Sequence, residues 1–111
     1  MNILKKFYRT LKANIIYEMA IFKLDDAYRK NPRRYYLLID HSTGGFIIVD
    51  RNNFRALKRK HYISPKATMQ NLRNDCTVHT PYADGTGLMP LVVLRERKRA
   101  YIKWYVNRQG I

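Results

Sequence analysis

The feature that most constrains this chain is an unbroken stretch of helix-forming sequence from Asn2 to about Lys30. It contains no Pro or Gly, and large apolar side chains recur at steps of three and four residues, as one helix face requires. Asn31-Pro32 ends it, because the residue before a proline is disfavoured in the helical region. We therefore predict a long amphipathic helix with an apolar stripe formed by Leu4, Tyr8, Leu11, Ile15, Met19 and Phe22 and widened by Phe7, Ile16 and Ala20.

The fate of this stripe decides how the rest of the chain is arranged. In a fold of only 111 residues the longest helix has to cover the sheet, so we expect the stripe to be core. Two alternatives stay open: an interfacial helix on an anionic membrane, or a helix–helix contact with another subunit. The membrane alternative rests on four basic residues that precede the first acid, Glu18: Lys5, Lys6, Arg9 and Lys12.

Two pairs of β-prone runs follow, each pair separated by a glycine-containing turn. Arg34–Asp40 and Phe46–Asp50 flank Gly44-Gly45 and predict a hairpin. Cys76–Tyr82 and Leu88–Leu94 flank a second turn and predict another hairpin.

Shorter helices are predicted between and after these hairpins. Asn52 or Asn53 can cap a helix that runs to about His61. Ser64-Pro65 is a typical start signal for a helix to about Asp75, and Arg95–Arg108 is rich in helix formers. The predicted fold is one α+β domain over residues 1–111, with the long helix packed on small antiparallel hairpins and two or three shorter helices.

The charge balance points to the class of partner. Lys plus Arg number 22 against 8 Asp plus Glu, a formal charge of +14 spread along the whole chain. A folded body this basic repels itself, and a bound polyanion offsets that cost, so DNA or RNA is the expected partner. The one cysteine excludes an intramolecular disulfide, and no apolar run approaches the ~20 residues that span a bilayer, so we expect a cytoplasmic protein without a transmembrane segment.

Basic residues cluster in two parts of the sequence, and we predict that they bind nucleic-acid phosphates. The second cluster runs into Trp104 and two tyrosines, whose rings could stack on unpaired bases, although Trp104 is placed in the core by preference. The predicted phosphate-binding residues are Arg55, Lys58, Arg59, Lys60, Lys66, Arg73, Arg95, Arg97, Lys98, Arg99 and Lys103.

The segment 54–74 with the second predicted hairpin resembles a winged helix-turn-helix. Ile63-Ser64 would form the turn, and the pattern of Ala67, Thr68 and Met69 is similar to that of bacterial recognition helices. The resemblance implies that the side chains facing the major groove are Lys66, Gln70, Asn71 and Arg73.

Catalytic and metal-binding patterns are sparse. Cys76 and His79 have zinc-like spacing but form only one such pair, and His41-Ser-Thr43 matches half of a two-histidine phosphoesterase signature. We assign no catalytic residue, metal or cofactor, and predict a non-enzymatic protein that binds or packages nucleic acid. Its size and charge suit a phage or mobile element. The alternatives are a virion-type assembly protein joined to other subunits through the amino-terminal helix, and a small basic ribonuclease.

Overall fold

The computed structural model of the chain describes residues 2–80 and 87–108. It confirms an α+β fold with a long first helix, a three-stranded antiparallel sheet and three further helices. The elements in chain order are α1 (Ile3–Lys30), β1 (Tyr35–Ile39), β2 (Phe46–Val49), α2 (Phe54–Arg59), α3 (Met69–Asp75), β3 (Val78–Thr80) and α4 (Leu91–Val106).

The strand order is β2-β1-β3, so β1 is central and pairs on both sides. Tyr36 lies opposite Val49 of β2, and Leu37 lies opposite Val78 of β3. Because side chains alternate along a strand, β1 presents Tyr35 and Leu37 to one face and Tyr36 to the other. The central strand is apolar on both faces, as a strand covered on two sides must be.

Helices cover both faces of this sheet. On one face, Leu24 of α1 and Leu94 of α4 pack on Leu37. On the other, Leu72 of α3 packs with Tyr36, next to the half-buried Phe54 and Leu57 of α2. The molecule therefore has three layers, α1 with α4, the sheet, and α2 with α3.

The helices α1 and α4 run antiparallel and are tied together along their length. The Tyr17 hydroxyl donates to the Leu94 carbonyl at 2.8 Å, and Lys98 forms an ion pair with Glu18 at 2.7 Å. At the other end of α4, Arg9 donates to the Val106 carbonyl at 3.4 Å. Both helices are consequently fixed in register on one face of the sheet.

The face of α1 that packs on the body is not the predicted one. Ala13, Tyr17, Ala20 and Leu24 are buried. Of these only Ala20 was in the predicted stripe, and the six residues that define the stripe are all exposed, for example Leu4 at 80% and Phe22 at 74%. The small side chains at 13 and 20 let the helix backbone approach α4 and the sheet closely. The prediction that the stripe is core was therefore wrong.

The predicted hairpin of β1 and β2 is confirmed, and its turn is held against α4. The Ser42 hydroxyl and backbone amide both donate to the Asp40 carboxylate. These hydrogen bonds lower the pKa of Asp40, and the bond from the hydroxyl has the larger effect. Gly44 has a φ of +84°, which favours glycine, and its carbonyl accepts from the buried Tyr101 hydroxyl. A Cβ at this position would overlap the Arg108 side chain.

The second predicted hairpin does not form. Val78–Thr80 is a strand, but its partner is β1. The segment that was predicted as its hairpin partner, Leu88–Leu94, instead enters α4, which begins at Leu91. The predicted turn falls largely on residues 81–86, outside the described residues. The apolar run at 88–94 reflects burial of Met89 and Leu94 in the core beside α1, and a short apolar run does not distinguish strand from buried helix.

Of two predicted helix starts, one is confirmed and the other is wrong. The helix after Asn53 is confirmed as α2. The next helix begins at Met69, because Thr68 accepts from the Asn71 amide and the Asn71 side chain accepts from the Thr68 amide. This reciprocal capping box overrides the Ser64-Pro65 signal, so the predicted start at Pro65 was wrong.

Candidate nucleic-acid interface

The predicted phosphate-binding residues lie in two separate surfaces. One set belongs to the layer of α2 and α3, and the other belongs to α4 on the opposite face of the sheet. The structure therefore does not bring the two sets together. The first set is Arg55, Lys58, Arg59, Lys60, Lys66 and Arg73, and the second is Arg95, Arg97, Lys98, Arg99 and Lys103.

One lysine of each set makes contacts within the fold. The Lys58 ammonium donates to the Ala67 carbonyl at 3.1 Å and lies 4.9 Å from the centroid of the Phe54 ring. Lys98 is paired with Glu18. Both are half-buried, whereas the other nine predicted residues are exposed. These two lysines hold elements together and are less available to a ligand than the rest.

On α4 three of the exposed basic residues form a line along one side, and Arg97, also exposed, lies on another side of the helix. Arg95, Arg99 and Lys103 follow each other at four-residue steps, which places them on one helix face. Arg99 and Lys103 line a groove of about 350 Å³ that Lys6 and Thr10 of α1 border from the other side. This surface, the α1–α4 groove, is basic on both walls.

A third basic site was missed by the sequence analysis. A cleft of about 600 Å³ opens on the α2–α3 side of the sheet, where β1 begins and β2 ends. We call it the arginine cleft. Its lining residues are Arg33, Arg34, Tyr36, Arg51, Asn52 and Met69.

The hairpin register explains why these arginines meet. Tyr36 and Val49 form the last pair of the hairpin, so β1 begins where β2 ends, and the arginines that flank these two ends line the same cleft. Both side chains are exposed, and neither makes an ion pair or side-chain hydrogen bond to the described residues. Their signal was present in the sequence, as an Arg-Arg pair before the first strand and an Arg after the second. Without the register, that signal could not place them together.

Arg33 differs from its two neighbours in the cleft. It is partly buried, its Nη1 lies 3.9 Å from a carboxylate oxygen of Asp50, and it contacts the side chain of Asn31. Asp50 in turn accepts from the Asn53 amide at 2.9 Å, at the entrance to α2. Arg33 therefore helps to fix the cleft wall, and Arg34 and Arg51 supply its uncompensated charge.

The cleft offers the chemistry of an anion site. Guanidinium groups donate pairs of N–H bonds that match the oxygens of a phosphate, and Asn52 adds an amide beside them. Tyr36 and Met69 line the cleft with apolar surface. The arrangement can hold an anionic group next to apolar surface.

The groups considered for base reading and catalysis are used elsewhere. The Asn71 side chain caps α3, and the Gln70 amide donates to Asn74 at 3.3 Å. With α3 only seven residues long and the second hairpin absent, the structure differs from a winged helix-turn-helix. Burial raises the pKa of Cys76 to about 11, which leaves its thiol protonated at neutral pH.

Two polar side chains, His41 and Arg108, pack against the ring of Trp104. His41 packs edge-on against Trp104 at 5.3 Å, and the Arg108 guanidinium lies 5.0 Å from the same ring. Trp104 also packs against the buried Tyr101. Trp104 itself is only half-buried, so the prediction that it is a core residue is met in part. Within residues 2–80 and 87–108, no three His, Cys, Asp or Glu side chains converge as metal ligands would.

Comparisons with protein-family models, with curated proteins and with solved structures found no match to this chain. None of the described helices combines the length and hydropathy needed to cross a membrane. Any functional conclusion therefore rests on the geometry and charge of the described surfaces.

Proposed function

We propose that this protein binds nucleic acid through its phosphate backbone, with the arginine cleft as the principal contact. The observation that supports it is the position of Arg34 and Arg51. They line one cleft at the open end of the β1–β2 hairpin, without an acidic partner among the described residues.

Such a pair is costly in the free protein. Two guanidinium groups that line one cleft repel each other when no acid lies between them. A phosphate between the two guanidinium groups turns this repulsion into paired hydrogen bonds. The arrangement is understandable as a site whose ligand is an anion.

The neighbouring helix α2 extends the basic surface beyond the arginine cleft. Arg55 and Arg59 are exposed four residues apart on α2, which begins three residues after Arg51. Lys66 and Arg73 are exposed on the same layer. Backbone contacts of this kind position a protein on DNA or RNA without reading its sequence.

The proposal is tested with fluorescence anisotropy of a labelled single strand and a labelled duplex across a salt series. The wild-type protein is expected to give a logarithmic salt slope of about −3 to −6. Neutralising both cleft arginines, Arg34→Gln with Arg51→Gln, should weaken binding about tenfold or more and make the slope shallower by about 2.

A matched control separates the cleft from net charge alone. Lys5→Gln with Lys12→Gln removes the same charge from exposed positions of α1 and should reduce affinity much less. An equal loss in both double variants would show that only the overall charge matters and would reject the cleft. A wild-type affinity that does not change between low and physiological salt would reject phosphate binding itself.

A further inference from the structure

The outer face of α1 carries an apolar surface too large for an isolated monomer. The exposed side chains extend from residue 3 to residue 22, a distance of about 28 Å along the helix. Monomers seldom expose a continuous apolar patch beyond about 300–600 Å², and three aromatic rings alone approach that area. The exposed chains are Ile3, Leu4, Phe7, Tyr8, Leu11, Ile15, Met19 and Phe22.

This surface runs straight along the helix axis. The stripe repeats after eleven residues, as Leu4 to Ile15, Tyr8 to Met19, and Leu11 to Phe22. Eleven residues correspond to about 3.67 per turn, close to the 3.6 of a straight helix, whereas a left-handed coiled coil needs 3.5. A flat surface can therefore cover the whole stripe at once without bending the helix.

The borders of the stripe are positively charged. On one side, Lys5, Lys12 and Lys23 lie about 100° around the helix from the centre of the stripe, and all three are exposed. On the other side, Arg99 and Lys103 of α4 line the α1–α4 groove, next to the neutral ion pair of Lys98 with Glu18.

The acidic residues of α1 are each paired with other bases, so none of them neutralises Lys5, Lys12 or Lys23. Glu18 is bound by Lys98 at 2.7 Å, and Asp25 and Asp26 are bound at 3.0 Å by bases one turn later, Arg29 and Lys30. The positively charged side chains around the apolar stripe therefore make this face complementary to an anionic surface.

We propose that the outer face of α1 docks on the surface of an anionic lipid bilayer. The aromatic and aliphatic side chains enter the boundary between headgroups and acyl chains, and the flanking lysines extend their ammonium groups to lipid phosphates. Apolar insertion and electrostatic attraction act together, and α1 lies in the plane of the interface without crossing it.

A second copy of the chain fits the same face less well. In an antiparallel pair of α1 helices, the two-fold axis sets the border with Lys5, Lys12 and Lys23 against the same border of the other copy. In a parallel pair, the basic first turns of two chains of charge +14 lie side by side. Either arrangement places like charges around the contact.

Vesicle flotation tests the proposal without any nucleic acid present, so it is independent of the proposed function. The wild-type protein should float with phosphatidylcholine vesicles containing phosphatidylglycerol and remain behind with phosphatidylcholine alone. Leu4→Ser, Phe7→Ser and Leu11→Ser together should reduce partitioning about tenfold or more, since three inserted side chains are lost. The melting temperature should stay unchanged, because all three side chains are exposed.

Two controls make the result specific to this face. Tyr62→Ser removes an exposed aromatic ring from the α2–α3 side and should leave vesicle binding unchanged. The triple serine variant should still bind nucleic acid, because the arginine cleft lies across the sheet.

Three results would overturn the proposal. The first is failure of the wild-type protein to float with the anionic vesicles at low salt. The second is equal flotation of the wild type and the triple variant, which would leave only general electrostatic attraction. The third is a wild-type dimer, measured by sedimentation, that fails to float and that the triple variant converts to monomer. That result would assign the face to a second copy.

Discussion

The two long faces of α1 are both apolar, yet only one of them is covered. The buried face uses Ala13, Tyr17, Ala20 and Leu24, and the exposed face carries the larger side chains. Where a helix packs on a sheet and on a second helix at once, small residues allow the backbones to approach, and a few large ones fill the remaining space. A stripe of large apolar residues identifies a contact surface, and it does not by itself identify the core.

The polar parts of the molecule show a parallel difference. One border of the exposed stripe on α1 is made of Lys5, Lys12 and Lys23, whereas the arginine cleft is lined by Arg33, Arg34 and Arg51. An ammonium on a flexible stem reaches a headgroup from beside an apolar surface, and a planar guanidinium matches the oxygens of a single phosphate. Under the two proposals, lysines would meet a lipid surface and arginines would meet the phosphates of a nucleic acid.

The largest effect is expected from placing a carboxylate on each face of α1. Leu24→Asp buries a charge in the core beside Leu37 and should unfold the protein or cost several kcal/mol of unfolding free energy. Ile15→Asp lies on the half-exposed stripe and should cost no more than about 1 kcal/mol. Thermal melts followed by circular dichroism compare the two. Similar loss in both variants would mean that the stripe is covered after all.

A smaller effect tests whether the alanines define the packed face. Ala13 is fully buried among the tyrosines of α1 and α4, so Ala13→Leu should overpack the contact and cost about 1–3 kcal/mol. Ala100→Leu makes the same change at an exposed position of α4 and should stay within about 0.5 kcal/mol. Chemical denaturation with urea measures both, and a neutral Ala13→Leu would contradict close packing there.

The smallest effect concerns the alkaline pH range. Burial raises the pKa of Tyr17 to about 12 and that of Tyr101 also to about 12, from 10.0. Because the folded-state values lie above the unfolded one, the neutral phenols contribute stability that is complete below pH 10 and is lost as the pH approaches 12. The tyrosinate absorbance removed by Tyr17→Phe should therefore titrate near pH 12. Titration of that component near pH 10 would show an accessible Tyr17 and contradict the buried face.

Local signals in the sequence account for most of the correct predictions. The long helix, the first hairpin and the α+β class follow from periodicity, from Pro32 and from the Gly44-Gly45 turn, and each was confirmed. The helix in the carboxy-terminal part was confirmed as well, although it begins at Leu91, four residues before the predicted start. These features depend on neighbours in the chain, which is why a single sequence reveals them.

The errors involve contacts between distant parts of the chain. The buried face of α1 is determined by its packing against α4. These helices are far apart in sequence, and the paired residues Glu18 and Lys98 are 80 residues apart. The pairing of Val78–Thr80 with β1 depends on a strand some 40 residues earlier. The arginine cleft depends on the register of one hairpin, and a shift of one residue would send Arg34 to the other face of the sheet.

The first turns of α1 have a thermodynamic consequence of their own. Every side chain from residue 3 to residue 8 is exposed, so this segment is helical through its backbone bonds and the Asn2 cap, which accepts from the Lys5 amide at 2.8 Å. A helix end held in this way opens at almost no free-energy cost, in contrast to the buried turns around Ala13 and Tyr17. Any surface that covers these turns also suppresses their fraying. Part of the free energy of binding to such a surface therefore goes into ordering the helix end. Slower amide hydrogen exchange at residues 3–8 would measure how much of the protein is bound.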